Sequence, residues 1–367
     1  MKENTIGVIG ATGRVGRECL RYLAGHTDFT LLAGSRNLPS APVPGTFQAV
    51  DVFDPASLAR FCEQCALVIN CAGPASVVKE RVAFAALDSC CHFVDPGGYT
   101  PLFSLLTARQ EEIHGHGLRF LLGLGILPGL SEIFPAYTVR TDFEKAEGFD
   151  YAVIGRDLWT FPSAWDIAWG VGNIGKCESP VWYEAGQRKE AGLLTSGRTL
   201  DLPAPVGPYR LFRLMREDLQ QFVEDTGIRD AQVFGNNWGL WVSLATVLIR
   251  LAGWFHTERQ LTRSARLIMQ AAKWDMRGKK PGFMLHLRMR GNWQGRPRRV
   301  VRTLFFEDTY RATGLCAAIG ARLALEGMTP GLFRAAQLPD PVSFMRHFLA
   351  LGYEIQGEDL PAEEGAP

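Results

Sequence analysis

The chain has 367 residues, of which 47% are hydrophobic and 21% are charged, and its formal net charge at pH 7 is +1. This composition is typical of a globular protein, and the balanced charge excludes a general attraction to nucleic acid. The length predicts two domains. The eight cysteines follow no predicted secretory signal, which predicts reduced thiols and a cytoplasmic location.

The first 129 residues alternate short apolar strands with amphipathic helices. A strand over 5–10 precedes a glycine turn and a helix, and a second helix is predicted to begin at Pro55 after Asp54 as its N-cap. Further strands are predicted over 29–34, 47–54, 66–74, 92–98 and 118–130. The alternation predicts an α/β fold with a Rossmann-type doubly wound parallel sheet.

The glycine turn has the spacing G-x-x-G-x-x-G between the first strand and the first helix. The first glycine permits the tight turn, the second lets the backbone approach a pyrophosphate, and the third allows close helix packing. The helix N-terminus offers N–H groups and a positive dipole to the phosphates. The predicted dinucleotide contacts in this turn are Gly10, Ala11, Thr12, Gly13, Arg14, Val15 and Gly16.

The second strand ends in Gly34-Ser35-Arg36, where proteins that prefer NAD usually carry Asp or Glu. A guanidinium and a hydroxyl suit a 2′-phosphate, so NADPH is the predicted cofactor, and a solvated surface arginine is the alternative interpretation. Further cofactor contacts are predicted at the ends of the next two strands, from Asp51, Val52, Cys71, Ala72, Gly73 and Pro74.

The composition changes after residue 129, since all nine tryptophans lie between Trp159 and Trp293. Two strands are predicted on either side of the turn 291–295, and helices follow over 309–327 and 340–352. The predicted organisation is a dinucleotide-binding domain over 1–129, an inserted α+β substrate domain over 130–307, closing helices over 308–353 and a disordered acidic tail over 354–367.

The segment from Trp238 to Phe255 is almost long enough to span a membrane, but Arg250 lies inside it. A charge at that depth costs about 3 kcal/mol on insertion scales. The segment is therefore predicted to be a helix buried in the domain or at a subunit interface. A homodimer is a possible assembly, and a membrane is not a predicted partner.

Several motifs are similar to those of the saccharopine dehydrogenase-like family of NADP-dependent oxidoreductases. They are GATGRVG, VINCAGP, HFVDPGG, LGILPGLSE and the closing segment 313–352. The resemblance implies reduction of a C=N bond and closing helices that return to the first domain. Size and the tryptophan-rich middle resemble the thiazolinyl imide reductases of pyochelin-type siderophore assembly, which implies a thiazoline tethered to a carrier protein.

Reduction of an imine requires a proton donor and a pocket as well as a hydride. Tyr99, Asp95, His92 and Asp166 are the candidate catalytic residues, and Asp157 or water are alternatives. A flat heterocycle suits an aromatic pocket, for which the candidates are Trp159, Phe161, Trp165, Trp169 and Trp182. Each of these residues could instead have a purely structural role. The carboxylates could form turns or cap helices, and the aromatic residues could belong to the core of the domain.

Between Arg277 and Arg302 there are nine Lys or Arg and no Asp or Glu. Such a stretch would help an acidic carrier protein to dock, and a solvated strand pair is the equally supported alternative. The Cys62–Cys65 pair and the run Cys90-Cys91-His92 complete no zinc pattern, so no metal site is predicted.

Two other functions remain open from the sequence. The same cofactor could serve reduction of an enoyl thioester or of an opine-type imine. The second alternative is a nucleotide-sensing regulator that binds NADP and catalyses no reaction. A large second domain argues against this hypothesis, because a sensor has little use for one.

Overall fold

The computed structural model describes residues 4–174, 178–192 and 194–360. The chain divides into two compact units, and each unit is made of two separate segments of the sequence. The first contains the residues up to Ile133 together with Tyr310–Phe348, and the second contains Phe134–Thr309 together with the residues from Leu349. The segment 310–348 includes most of the predicted closing helices, and it belongs to the unit to which they were expected to return.

The first unit is built on a parallel sheet of seven strands in the order β17-β6-β5-β4-β1-β2-β3. The strands are β1 Thr5–Ile9, β2 Thr30–Ser35, β3 Thr46–Ala49, β4 Leu67–Asn70, β5 His92–Asp95, β6 Arg119–Leu122 and β17 Gly331–Arg334. The helices are α1 Arg14–His26, α2 Pro55–Cys62, α3 Ala75–Val78, α4 Arg81–Asp88, α5 Pro101–Thr107, α6 Gln110–Gly115, α12 Thr309–Leu325 and α13 Pro341–Leu349. Helix α7, Leu130–Asp142, continues from the first unit into the second.

The second unit contains a mixed sheet of nine strands, in which β14 and β7 are parallel and the other pairs antiparallel. Its strands are β7 Lys145–Arg156, β9 Val181–Glu184, β10 Gln187–Glu190, β11 Arg198–Asp201, β12 Pro208–Arg213, β14 Asp230–Asn237, β15 Gly282–Trp293, β16 Arg296–Phe306 and β18 Ile355–Leu360. A short pair comprises β8 Glu178–Ser179 and β13 Met215–Arg216. The helices are α8 Phe161–Gly172, α9 Glu217–Thr226, α10 Leu240–Ala252 and α11 Glu258–Asp275.

The strands of the first sheet form the buried core of the first unit. Strands β1 and β4 are buried at every residue, which requires cover on both faces and accounts for their continuous apolar runs. Phe61, Phe93 and Phe120 are fully buried in one cluster with residues of the surrounding helices. Asp54 caps α2 by accepting the Ala56 N–H at 3.0 Å, as its sequence position predicted. The predicted fold class is confirmed.

The structure corrects the prediction for the end of the chain. The tail was predicted to be disordered from residue 354, but Ile355–Leu360 forms β18, which pairs with β16. The backbone supplies this pairing whatever the side chains are, and Asp359 pairs with Arg298 and Arg302. Residues 361–367 lie outside the described residues. Helix α10 was predicted to be buried in the domain or at a subunit interface. Its outer face is exposed in the single chain, with Leu251 79% accessible, so the domain does not bury that face and the subunit interface stays a prediction.

Candidate functional site

The glycine turn joins β1 to α1 by very close backbone contacts. Gly10 has φ +83°, and a Cβ there would lie 2.5 Å from the carbonyl carbon of Cys71. A Cβ on Gly16 would lie 2.3 Å from the Gly10 carbonyl oxygen. The N–H groups of Gly10 and Ala11 donate to the Gly34 carbonyl, at 2.8 and 3.0 Å, which ties the turn to β2. Both positions therefore require glycine.

The middle of the turn is open. Gly13 is the N-cap residue of α1, and a Cβ there would meet only the Gly10 oxygen at 3.2 Å. Gly13 and Arg14 are exposed, while Thr12 and Val15 are half-buried. Within this fully described turn no side chain caps the helix, and its first turn carries no acidic residue. The helix dipole and N–H groups thus fit a pyrophosphate, which supports the predicted dinucleotide site.

Ser35 and Arg36 lie at the end of β2, directly beside this turn in the sheet order. Ser35 is buried, and its hydroxyl donates to the Asn37 carbonyl at 2.6 Å. Arg36 is exposed, and within the described part of the chain its guanidinium has no hydrogen-bond or ion-pair partner. Arg36 is therefore the better placed of the two to bind a 2′-phosphate. The Arg14 guanidinium, in contrast, stacks on the Tyr310 ring, 3.8 Å from its centroid.

Asp51 and Val52 follow β3 at the same edge of the sheet. The Asp51 carboxylate accepts the Phe53 N–H at 3.0 Å, so it shapes the turn that leads into α2. Val52 is buried in the core cluster. The Asp51 carboxylate thus stabilises this turn, and its predicted contact with the adenine side of the cofactor stays a prediction.

A buried pair joins the ends of β4 and β5. The Asn70 amide donates to the Asp95 carboxylate at 3.1 Å, and the Asn70 amide oxygen accepts the Ala72 N–H at 3.2 Å. The other Asp95 oxygen accepts the N–H of Gly97. Because both carboxylate oxygens accept hydrogen bonds from loop residues, the geometry favours a positioning role for Asp95 over the proton-donor role predicted for it.

Cys71, Gly73 and Pro74 complete the loop after β4. Cys71 lies against Gly10, and its N–H donates to the Ile9 carbonyl at 2.7 Å. A hydrogen bond with Cys19, and then burial, raise the pKa of the Cys71 thiol well above its usual range, so the thiol stays protonated. Gly73 is exposed, and Pro74 is the N-cap residue of α3. This loop therefore lies beside the glycine turn, and its predicted contact with the cofactor stays a prediction.

The loop after β6 reaches the same edge of the sheet. The Leu124 N–H donates to the Asp95 carbonyl at 2.9 Å, and a Cβ on Gly125 would lie 2.6 Å from the Pro96 carbonyl oxygen. Glu132, which is fully buried, accepts the Ser131 hydroxyl at 2.7 Å and the Gly129 N–H. Sequence reasoning missed Glu132, although a glutamate three residues into a helix is a capping signal.

Of the predicted proton donors, Tyr99 lies in the loop after β5, half-buried against the core. Burial, and then the charge of Glu80, raise the pKa of its phenol, so Tyr99 holds its proton at neutral pH. The structure corrects the prediction that His92 is a proton donor. His92 is the first residue of β5 and lies about 10 Å along the strand from Asp95, at the opposite end from the predicted site. Its ring faces Arg119, and burial followed by that positive charge lower the His92 pKa to about 4.

Asp166 and the predicted aromatic residues belong to the second unit. Phe161, Trp165 and Trp169 follow one another at four-residue spacing on α8, and Asp166 is half-buried on the same helix. Trp165 is buried, and within the described residues its indole N–H has no hydrogen-bond partner. The alternative Asp157 is buried and accepts the Thr309 hydroxyl, which is a structural use. Trp182 lies apart on β9, under the Arg213 guanidinium at 4.5 Å.

A small cavity lies at the carboxyl ends of β7 and β14 in this unit. Asp157, Trp159 and Asp275 are among its lining residues, and its volume of about 10 Å³ holds roughly one water molecule. It is therefore too small for an aryl-thiazoline. Trp159 remains only a predicted substrate contact.

The basic stretch 277–302 is partly neutralised. Arg298 and Arg302 both pair with Asp142 and Asp359, and Arg290 pairs with Asp230 at 2.7 Å. Lys280 pairs with Glu307 at 3.4 Å. At least four of the nine cations are therefore ion-paired within the chain, which weakens the prediction that the stretch as a whole docks a carrier protein.

No group of three or more His, Cys, Asp or Glu side chains in 4–174, 178–192 and 194–360 is arranged to hold a metal ion. Over the same ranges, no helix combines the length and the hydropathy that crossing a membrane requires.

Comparison with known proteins supports the cofactor assignment. Residues 6–115 match the family described as the saccharopine dehydrogenase NADP binding domain. A probable mitochondrial saccharopine dehydrogenase-like oxidoreductase of Arabidopsis thaliana is 33% identical in an alignment 124 residues long that covers 29% of this chain and 27% of that protein. The match thus spans about a quarter of the length of this curated relative.

Among solved structures, the apo histidine-tagged saccharopine dehydrogenase (L-Glu forming) from Saccharomyces cerevisiae superposes with a TM-score of 0.72. The alignment covers 98% of this chain and 100% of that one, at 14% identity. At this identity the similarity establishes a shared fold over both units.

Proposed function

We propose that this chain is an NAD(P)-dependent oxidoreductase that prefers NADPH. The observation that carries the proposal is the glycine turn, where Gly10 and Gly16 leave no room for a side chain and Gly13 is open at the N-terminus of α1. The match of residues 6–115 to an NADP-binding family supports the same conclusion independently.

The roles of the residues follow from their positions. The N–H groups at the start of α1 would bind the pyrophosphate, and Arg36 would bind the 2′-phosphate. The Asn70–Asp95 pair would orient the loops after β4 and β5. When bound, NADPH supplies a hydride. Tyr99 keeps its proton at neutral pH and is our choice for the group that donates it.

We further propose that the substrate contains a C=N bond, and that it is a thiazoline tethered to a carrier protein. The resemblance in motifs and size to thiazolinyl imide reductases supports this choice, as do the aromatic residues of α8 in the second unit. Trp159, Phe161, Trp165 and Trp169 are the proposed substrate contacts, and Asp166 is a second proposed proton donor.

Binding of the cofactor is tested by titration calorimetry with NADPH and with NADH. We expect NADPH to bind at least tenfold more tightly, because a charge-assisted contact with phosphate contributes about 1.5–3 kcal/mol. Absence of binding to either dinucleotide would refute the oxidoreductase proposal.

Turnover is tested by following NADPH absorbance with three substrates. These are a synthetic aryl-thiazoline thioester, an enoyl thioester, and an imine formed from an amino acid and a keto acid. Oxidation with the thiazoline alone supports the proposed substrate. Oxidation with another substrate keeps the oxidoreductase and replaces the thiazoline, and tight NADPH binding with no turnover on any of the three favours a sensor.

A further inference from the structure

Helix α10 carries an exposed apolar face. Of the thirteen large hydrophobic side chains that are exposed in the described residues, eight lie between Leu240 and Trp274. Six of them lie on α10 at helical spacing and are 45–79% accessible, namely Leu240, Trp241, Leu244, Val247, Leu248 and Leu251. Such a contiguous apolar patch marks an interaction surface.

The opposite face of α10 is what anchors it to the domain. Val242, Ala245 and Ile249 are buried, and they lie on the side away from the exposed leucines. The helix start is held by Asp275, whose carboxylate accepts the N–H groups of Trp241 and Val242 at 3.0 and 2.8 Å. The exposed face is therefore not needed for the core and is presented on a fixed scaffold.

Helix α11 packs beside α10, and its own exposed face carries a row of cations. Arg259, Arg263, Arg266 and Lys273 are exposed and recur at intervals of three, four or seven residues. The opposite side of α11, which includes Leu261 and Ile268, is buried. Between Leu240 and Asp275 the sequence has five Lys or Arg and two acidic residues, Glu258 and Asp275, so the hairpin of α10 and α11 carries a net charge of +3.

Tryptophans mark the ends of the apolar face. Trp241 lies in the first turn of α10, and Trp254 follows its last turn. Trp274 of α11 packs edge-on against Trp241, with ring centroids 5.2 Å apart, and all three rings are 38–46% accessible. Tryptophan prefers the boundary between lipid and water, because its ring is apolar and its N–H is polar.

We propose that α10 and α11 form a surface that binds anionic lipid membranes. The leucine face would enter the boundary between headgroups and acyl chains, and the α11 cations would contact lipid phosphates. With 13 residues, α10 is about 20 Å long, which suits a helix lying in the plane of the membrane surface. The inference goes beyond the proposed function and does not depend on it.

Charge decides between a membrane and a second copy of the chain. Apposing two such faces in a dimer would bring together two hairpins that each carry +3. An anionic membrane complements that charge instead. Each Lys or Arg near such a surface is worth about 1 kcal/mol, an attraction that salt weakens.

The test is flotation of the full chain with vesicles of phosphatidylcholine containing phosphatidylserine, and with vesicles of phosphatidylcholine alone. We expect binding to the first, weaker binding to the second, and release at high salt. Leu244→Ser with Leu251→Ser, and separately Arg263→Gln with Arg266→Gln, should each lower the partition coefficient about tenfold or more. Leu38→Ser, at a leucine 80% accessible in the first unit, should leave it unchanged.

Three results would overturn the proposal. One is failure of the wild-type chain to float with the anionic vesicles, and another is unchanged flotation of both double variants. The third is a lipid-free dimer in sedimentation velocity that the leucine variant converts to monomer, because a second copy would then cover the face. NADPH affinity measured on the same variants should not change, so failure here is distinguishable from failure of the proposed function.

Discussion

The buried carboxylate of Asp95 accepts a hydrogen bond from the Asn70 amide at 3.1 Å, and this contact joins the carboxyl ends of two neighbouring parallel strands. Asn70 and Asp95 are 3% and 5% accessible, so the bond is formed away from water. Each residue also holds the loop that follows its own strand, through the N–H groups of Ala72 and Gly97. The pair therefore sets the positions of two loops at the carboxyl edge of the sheet.

We expect Asp95→Ala to weaken NADPH binding about tenfold or more and to destabilise the fold by about 1–3 kcal/mol, because buried donors lose their acceptor. Calorimetry and urea unfolding measure the two effects. Asp54→Ala is the matched control, since it removes an exposed helix cap and costs about 1 kcal/mol without touching the loops. Equal NADPH affinity in the two variants would contradict the positioning role.

Arg36→Asp should reverse the cofactor preference. The carboxylate repels a 2′-phosphate and can accept hydrogen bonds from ribose hydroxyls, so the ratio of the NADPH and NADH dissociation constants should change by about 100-fold. Titration of both dinucleotides gives this ratio. Arg21→Asp, on the exposed side of α1, is the control for the change in net charge. If both variants keep the wild-type ratio, Arg36 does not bind the extra phosphate.

Gly16→Ala should abolish tight dinucleotide binding, because the new Cβ would lie 2.3 Å from the Gly10 oxygen and the backbone of the turn would have to move. We expect at least a tenfold loss of affinity. Gly25→Ala lies on the same helix with no atom within 4 Å of its Cβ, and it should stabilise the chain by about 0.5–1 kcal/mol. Tight binding by the Gly16 variant would contradict the described packing.

Tyr99→Phe should lower kcat about 100-fold and leave the NADPH dissociation constant unchanged, since it removes only the O–H group. This prediction rests on the proposed reduction, so it is measured with whichever substrate is turned over. The raised pKa of Tyr99 means that the donor form persists through neutral pH, and the wild-type rate should not fall there from loss of that proton. Unchanged kcat in the variant would assign the proton to another group, such as Asp166 or water.

His286 should make stability depend on pH. Burial, and then the charge of Arg288, lower the pKa of His286 to about 4, from 6.5 when unfolded. Between these values the unfolded chain takes up a proton that the folded chain does not, so the His286 contribution is complete above pH 6.5 and is lost towards pH 4. Allowing for solvent screening, the loss is on the order of 2 kcal/mol.

His286→Gln should remove this part of the pH dependence, because glutamine stays neutral and can keep the contact that His286 makes with Thr303 at 2.8 Å. Urea unfolding on either side of that pH range measures it. His114→Gln, at an exposed histidine of the first unit, should leave the profile unchanged. A variant with the wild-type profile would show that His286 does not titrate as described.

Local sequence patterns predicted the first unit well. Three local features carried these predictions: the apolar runs of β1 and β4, the glycine spacing and the Asp54 cap. Each depends on interactions between residues close in sequence, so it can be predicted without the tertiary structure. Strands β17 and β18 were missed for the opposite reason. Their pairing is made by backbone groups of distant strands, and the polar sequence of β18 gives no sign of it.

The candidate site shows the same division. By itself the sequence determined a glycine turn between β1 and α1 and an arginine after β2, because the need for glycine and the presence of a charge are properties of single positions. Only the tertiary structure decided that His92 lies at the far end of its strand, that Asp95 is held by Asn70, and that the basic stretch is partly paired. It also decided that the leucines of α10 face outward. Burial and ionisation depend on neighbours that folding brings from distant parts of the chain, and no local pattern records them.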